Sequence, residues 1–180
     1  MLLANFGEAV IQEPMVNSDR LRSRSFEASV AHAYKVLGTS EIRYGLTAAI
    51  EWGKPSRALH IKGSRFSAQE SAYLRLFRSF KGEDGFNALV VGFGGRWIGA
   101  DGPFENAYIE AGTGLAISDG VSIDVNSHFN FVSFLGGGFY FTSKPDAPRM
   151  GLRWTHISNA ATEPPNRGLN QFELVFGFRI

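Results

Sequence analysis

Two side chains near the carboxyl end of the chain have the types and the spacing for nucleophilic chemistry. In the stretch "GLRWTHISN", one residue separates His156 from Ser158, so a β-strand would place both on one face with their Cα atoms about 7 Å apart. An imidazole that reaches a serine hydroxyl can take its proton and make the oxygen a nucleophile. The pair therefore indicates a candidate esterase site, although a His-x-Ser pair in a strand can also be a surface pair without a catalytic role.

A series of alternating segments must position this pair. From Ile42 to Trp52 the even positions are apolar, and the same period of two recurs from Ala107 to Ile117 and from Phe172 to Ile180. This period predicts strands with one apolar face. Whether Arg57 to Phe80 forms one long strand or two is left open. Further strand-like runs are Phe26–Leu37, Arg57–Phe66, Ala72–Phe80, Phe86–Ile98, Ser127–Phe141 and Gly151–Ser158.

Turn-forming stretches such as "KGEDG", "GADGPFEN" and "TSKPDAP" separate these runs. About eight strands without a convincing helix predict an all-β fold, in which an antiparallel sheet closes into a barrel or forms a sandwich. We expect an irregular N-terminal segment over residues 1–24 and a single β-barrel domain over residues 25–180.

The residues that alternate with the apolar ones indicate which side of the barrel faces water. A water-facing exterior is normally rich in Lys and Glu, whereas these positions hold mostly Gly, Ala, Thr and Ser with a few Arg and Glu. Such residues suit a narrow lumen in which carboxylates pair with guanidinium groups. The pattern favours an antiparallel eight-stranded transmembrane β-barrel. The alternative is a soluble lipocalin-like barrel that binds an apolar ligand and encloses His156 and Ser158.

Composition argues against several other kinds of site. A net charge of +1 supplies no field that would attract nucleic acid. The absence of cysteine excludes disulfides and thiolate metal ligands. Because His32, His60 and His128 lack the spacing of metal ligands, we predict neither a metal nor a cofactor.

Barrel topology predicts where the His-Ser pair lies. In an even-stranded outer-membrane barrel both termini are periplasmic and the longer loops are extracellular. The loop between residues 159 and 169 would then lie outside the cell, with His156 and Ser158 just below it, facing lipid. Asn170 opens the next strand with the outward parity of Phe172. This arrangement would present an active site to a membrane lipid.

The sequence also resembles a known family from about Pro103 to the C terminus. "HISNA" followed by "PPNRGLN" and a short terminal strand resembles the C-terminal motif of the outer-membrane lipid A 3-O-deacylases of the PagL type. "PFENAYIEAGTGLA" and "FNFVSFLGGGFYF" are similar to two further strands of that family. The resemblance implies an eight-stranded barrel in the bacterial outer membrane that removes the ester-linked acyl chain at the 3-position of lipid A without a metal.

The resemblance also implies roles for individual residues. Ser158 would be the nucleophile and His156 the general base, while Asn159 and the backbone amides that follow Ser158, including that of Ala160, would stabilise the oxyanion. Asn170 stands where the family has a glutamate, and Glu163 in the adjoining loop is an alternative acid. An amide can orient an imidazole, but it cannot stabilise imidazolium by charge.

Three functional interpretations follow. The favoured one is a serine esterase whose partners are the membrane and lipid A, lipopolysaccharide or a related acylated lipid; a homodimer is compatible with it. The second is a non-catalytic structural barrel of the same fold, in which Asn170 marks a decayed triad. The third is the soluble binder of an apolar ligand.

Overall fold

The alternating segments of the sequence form β-strands in the structure, which is a computed structural model. It describes residues 22–34, 41–56, 59–61, 64–160, 162, 164 and 167–180, with only the backbone described at 59–61 and 64. A short 3-10 helix occupies Gly102–Phe104. The strands are β1 Ser23–Ala33, β2 Arg43–Pro55, β3 Leu59–Ile61, β4 Ser64–Lys81, β5 Asp84–Gly99, β6 Ala107–Ser118, β7 Phe129–Tyr140, β8 Arg149–Ser158 and β9 Leu169–Arg179.

Eight of these strands close into an antiparallel barrel, as predicted. The order is β2-β1-β9-β8-β7-β6-β5-β4, and a further β2–β4 ladder closes the ring. The three-residue β3 pairs only with the start of β4. The ambiguous segment therefore contains one strand of 18 residues and a short partner beside it. The barrel begins at Ser23, and residues 1–21 of the expected N-terminal segment lie outside the described residues.

Polar and apolar residues are distributed as in a membrane barrel. Large apolar side chains are exposed on the outside along every barrel strand, for example Leu76, Phe93 and Leu152 at 62%, 68% and 65% exposure. Charged side chains such as Glu110 and Arg153 lie buried inside. An apolar exterior around a polar interior is typical of transmembrane barrels and argues against the soluble lipocalin-like alternative. No helix in the described part of the chain is long and apolar enough to cross a membrane.

A network of ion pairs fills the lumen. Arg153 contacts both Glu27 and Glu110, and Arg96 lies 3.1 Å from Glu51 and 2.8 Å from Glu110. The remaining space among these side chains is about 20 Å³, which is roughly the room for one water molecule. This part of the lumen is therefore packed. Among the described residues, this network joins four arginines and four glutamates, namely Arg75, Arg96, Arg149, Arg153, Glu27, Glu51, Glu110 and Glu173.

A cluster of buried apolar side chains closes the barrel at one end. We call this the site end; it carries the 119–128 and 159–168 loops. Ile157 and Leu169 belong to the cluster at 4% and 0% exposure, together with Phe77 and Phe86. Since Ile157 lies between His156 and Ser158, this packing holds β8 in the register that turns both neighbouring side chains outward. The start of β1 and the end of β9 meet at the opposite end of the barrel, where Ile180 N donates to Arg24 O over 2.9 Å.

Candidate active site

Strand β8 places His156 and Ser158 on the outer wall of the barrel, as predicted. Its odd-numbered residues Arg153, Thr155 and Ile157 are buried inside, whereas His156 and Ser158 point outward and are partly exposed. Both lie in the last three residues of β8, next to the site end. Side chains on this wall are accessible from the lipid that surrounds a membrane barrel.

Asn170 is the hydrogen-bond partner of the imidazole. It lies directly opposite His156 in the β8–β9 ladder, and its Oδ1 is 2.9 Å from His156 Nδ1. Because the amide oxygen can only accept, Nδ1 carries the hydrogen and donates it. The other ring nitrogen, Nε2, then keeps its lone pair and can serve as a base. Asn170 is only 3% exposed, so water competes little for this bond.

Gly168 supports the other side of the ring. It has a φ of +76°, and a Cβ placed there would lie 2.5 Å from His156 Cε1. Its backbone N–H donates to Asp124 O in the 119–128 loop over 2.9 Å. This position therefore requires glycine for two reasons, namely the left-handed backbone and the close approach to the ring. The sequence alone does not show this contact, because a glycine after "PPNR" is also what an ordinary turn would use.

The residues after Ser158 turn the chain out of the strand. Asn159 is fully buried, and its carbonyl oxygen accepts hydrogen bonds from Thr162 N and Thr162 Oγ1 over 3.1 and 2.8 Å. Ala160 is exposed and adopts a left-handed φ of +53°. Among the described residues, Ser158 Oγ makes no hydrogen bond to the imidazole. Catalytic hydrogen bonds often form only in the substrate complex, so this does not exclude the pair.

Two acidic residues follow Ser158 in the sequence, Glu163 and Glu173. Glu173 faces the lumen at 1% exposure, where Ser29 Oγ donates to it over 2.9 Å, so it lies on the other side of the wall. Glu163 lies outside the described residues. Within the described ranges, no three His, Cys, Asp or Glu side chains form a group that could hold a metal ion.

An aromatic ring and a second hydroxyl lie beside the imidazole. Trp154 stacks against His156 with 6.1 Å between ring centroids and 26° between ring planes. Ser133 on β7 is directly opposite His156 and is exposed on the same outer face. The imidazole thus has a stacked indole and an amide partner, and two outward-facing serines occupy neighbouring positions on β7 and β8.

A family model provides the decisive comparison. The model described as lipid A 3-O-deacylase (PagL) matches residues 40–179. The chain belongs to the lipid A 3-O-deacylase family. The match covers β2 to β9 and includes the whole candidate site, so the resemblance seen in the C-terminal motifs extends over most of the barrel.

Individual relatives are similar over shorter stretches. A lipid A deacylase PagL from Bordetella bronchiseptica is 36% identical over 79 residues, which are 42% of this chain and 43% of the relative. A lipid A deacylase PagL from Pseudomonas aeruginosa is 32% identical over 76 residues, which are 41% of this chain and 42% of the relative. The aligned stretches thus span less than half of either relative.

A solved structure shares the fold. The crystal structure of the outer membrane enzyme PagL superposes with a TM-score of 0.60 and 20% sequence identity, over 87% of this chain and 99% of that chain. Together with the apolar exterior and the charged lumen, family membership identifies this protein as a bacterial outer-membrane β-barrel.

Proposed function

We propose that this barrel is an outer-membrane serine esterase that removes the 3-O-linked acyl chain of lipid A. The observation that carries the proposal is the 2.9 Å hydrogen bond between His156 Nδ1 and Asn170 Oδ1, beside Ser158 on the lipid-facing wall. It prepares one ring nitrogen as a base at a place that an acylated lipid can reach from the membrane. Membership of the lipid A 3-O-deacylase family supports this substrate class and this position of the ester.

The reaction begins with an attack by Ser158. Its Oγ bonds to the ester carbonyl carbon as His156 Nε2 takes the hydroxyl proton. The tetrahedral intermediate collapses when the 3-oxygen of the sugar leaves and receives that proton from the imidazolium. His156 next removes a proton from water, which attacks the acyl-Ser158 ester. The fatty acid departs and Ser158 regains its proton.

The oxyanion of the tetrahedral intermediate needs donors just beyond Ser158. The backbone N–H groups of Asn159 and Ala160 are our candidates. The left-handed backbone at Ala160 supports this assignment, because successive N–H groups in such turns can converge on an anion. Asn159 has inward parity and is fully buried, so we assign the role to its backbone N–H and not to its side chain.

Asn170 has an orienting role in this mechanism. Its amide holds His156 in the tautomer that leaves Nε2 free, but it brings no negative charge to stabilise the imidazolium. Glu163 is the alternative acid if the 159–168 loop brings a carboxylate to the ring. We assign the positioning role to Asn170 because its hydrogen bond to the imidazole is short and shielded from water.

Mass spectrometry of lipid A tests the proposal. Purified lipid A is incubated in detergent with the wild-type protein, with Ser158→Ala and with Ser133→Ala. Ser133 provides a matched control because it is the other outward-facing serine next to His156. We expect wild type and Ser133→Ala to remove one acyl chain, which fragmentation of the sugar ring assigns to the 3-position, and Ser158→Ala to remove none.

Other outcomes would contradict specific parts of the proposal. Cleavage by Ser158→Ala but not by Ser133→Ala would show that the nucleophile is Ser133 on β7. Loss of a chain from another position would contradict the 3-O assignment. An intact lipid A mass with a folded wild-type barrel would favour the non-catalytic structural barrel.

A further inference from the structure

Five aromatic or imidazole rings form one continuous row on the outer wall of the barrel. Each ring lies directly opposite the next across a strand pair, from β8 through β9, β1 and β2 to β4. All five side chains have outward parity. We call this set the aromatic row; it consists of Trp154, Phe172, His32, Tyr44 and Phe80.

Ring contacts connect much of the row and reach the candidate base. His32 stacks on Tyr44 with 5.0 Å between centroids and 12° between planes, and Tyr44 lies 5.9 Å from Phe80. Tyr34 packs against the edge of His32 at 4.3 Å and also contacts Phe172. At the other end, Trp154 stacks on His156. The row therefore leads to the active site.

The slope of the row distinguishes it from an interfacial belt. An aromatic belt lies at constant depth in the membrane. Residues that are paired across neighbouring strands instead form a row perpendicular to the strands, and the strands tilt by roughly 35–45° from the barrel axis. With strands about 4.8 Å apart, such a row changes depth by about 3 Å per strand. Tyr44 lies one residue inside β2, whereas Trp154 lies four residues before the end of β8. The row thus descends from the rim of the site end toward His156.

The row also contains polar atoms that lack partners. Among the described residues, two outward-facing side chains hold a shielded nitrogen without a hydrogen-bond partner, namely His32 Nε2 and Trp154 Nε1. Both belong to the row. A buried polar atom without a partner destabilises the fold, and ionisable groups on a lipid-facing surface commonly mark functional sites. Tyr34 and Tyr44 add exposed phenols at 45% and 53% exposure.

From this geometry we propose that the aromatic row is a carbohydrate-binding platform. It holds the sugar headgroup of an acylated glycolipid while the ester lies at Ser158; this rests on the proposed function. Sugar rings pack their C–H faces on aromatic rings and present hydroxyls at their edges, and amphipathic aromatic side chains suit a place that is apolar on one side and wet on the other. An acyl chain would need neither the phenols nor the ring nitrogens.

A comparison of two substrates tests the platform. We measure kcat/KM in detergent for lipid A and for a nitrophenyl ester of a fatty acid, which has the ester but no sugar. Tyr44→Leu and His32→Leu should each lower kcat/KM for lipid A about tenfold, mainly through KM, and leave the nitrophenyl ester unchanged. Tyr44→Trp keeps a ring and should restore activity toward lipid A.

The control is an exposed aromatic residue outside the row. Phe139 is 43% exposed near the opposite end of the barrel, where it packs against Phe141 at 5.3 Å. Phe139→Leu should leave both substrates unaffected. Equal losses on both substrates, or none, in the Tyr44 and His32 variants would overturn the platform alone. A wild-type enzyme that cleaves the nitrophenyl ester but leaves lipid A intact would overturn the proposed substrate, and the platform with it.

Discussion

The contact between Gly168 and the imidazole predicts a large effect from one added methyl group. In Gly168→Ala the new Cβ would start 2.5 Å from His156 Cε1, whereas ordinary contacts are 3.4–4 Å. The ring must therefore withdraw by about 1 Å, and a misplacement of that size costs about 100-fold in catalysis. The same displacement would also weaken the 2.9 Å hydrogen bond between His156 Nδ1 and Asn170 Oδ1. The left-handed backbone adds roughly 1–2 kcal/mol of strain.

A control at a second glycine distinguishes the effect of the displaced imidazole from the effect of backbone strain. Gly82 has a φ of +60°, but a Cβ there meets nothing within 4 Å, so Gly82→Ala carries the strain alone. We would measure kcat/KM on lipid A for both variants, and confirm folding by the heat-dependent gel mobility of the barrel. Gly168→Ala should lose about 100-fold and Gly82→Ala almost nothing. If the two variants have similar activity, Gly168 does not position His156.

Two further predictions concern the imidazole partner and the lumen. Asn170→Ala should lower kcat/KM because His156 loses the acceptor at Nδ1. Asn170→Glu should raise kcat/KM and move the acid limb of the pH–rate profile to higher pH, because a carboxylate favours imidazolium; an unchanged profile would show that the site is adapted to an amide. Arg153→Met leaves Glu27 with fewer buried partners and should cost about 3–5 kcal/mol of unfolding free energy in urea. Lys54→Met removes an exposed ion pair and should cost below about 1 kcal/mol; equal losses would contradict the buried-network argument.

The strand pattern and the placement of the His-Ser pair could be predicted because alternation depends only on neighbouring residues. A period of two fixes which side chains share a face, so β8 alone places His156 and Ser158 on the face of Leu152 and Trp154. The small and sparsely charged residues on the opposite faces of the strands then predict that this face is outward. Glu173 has the opposite parity to Asn170 on β9 and faces the lumen at 1% exposure, in line with the same alternation. The paired lumen charges were also predicted, since small residues alternate with sparse Arg and Glu.

The register between distant strands could not be predicted from the sequence. The aromatic row joins residues as far apart as His32 and Phe172, and only the pairing of β1 with β9 brings them together. The support of His156 by Gly168 likewise depends on how the 159–168 loop returns to the wall. The 18-residue length of β4 was hidden because no alternation or turn signal separates a long strand from two short ones.

The position of the site on the outside of a packed barrel determines how its rate must be measured. Ser158 faces outward, and the described charges inside the barrel leave only about 20 Å³ between them, so under the proposed function an ester reaches Ser158 by lateral diffusion in the leaflet. The concentration that governs the rate is then the mole fraction of substrate in the membrane or micelle, not its amount per litre. Added detergent at constant total lipid would slow the enzyme by dilution within the surface, without any inhibitor being present.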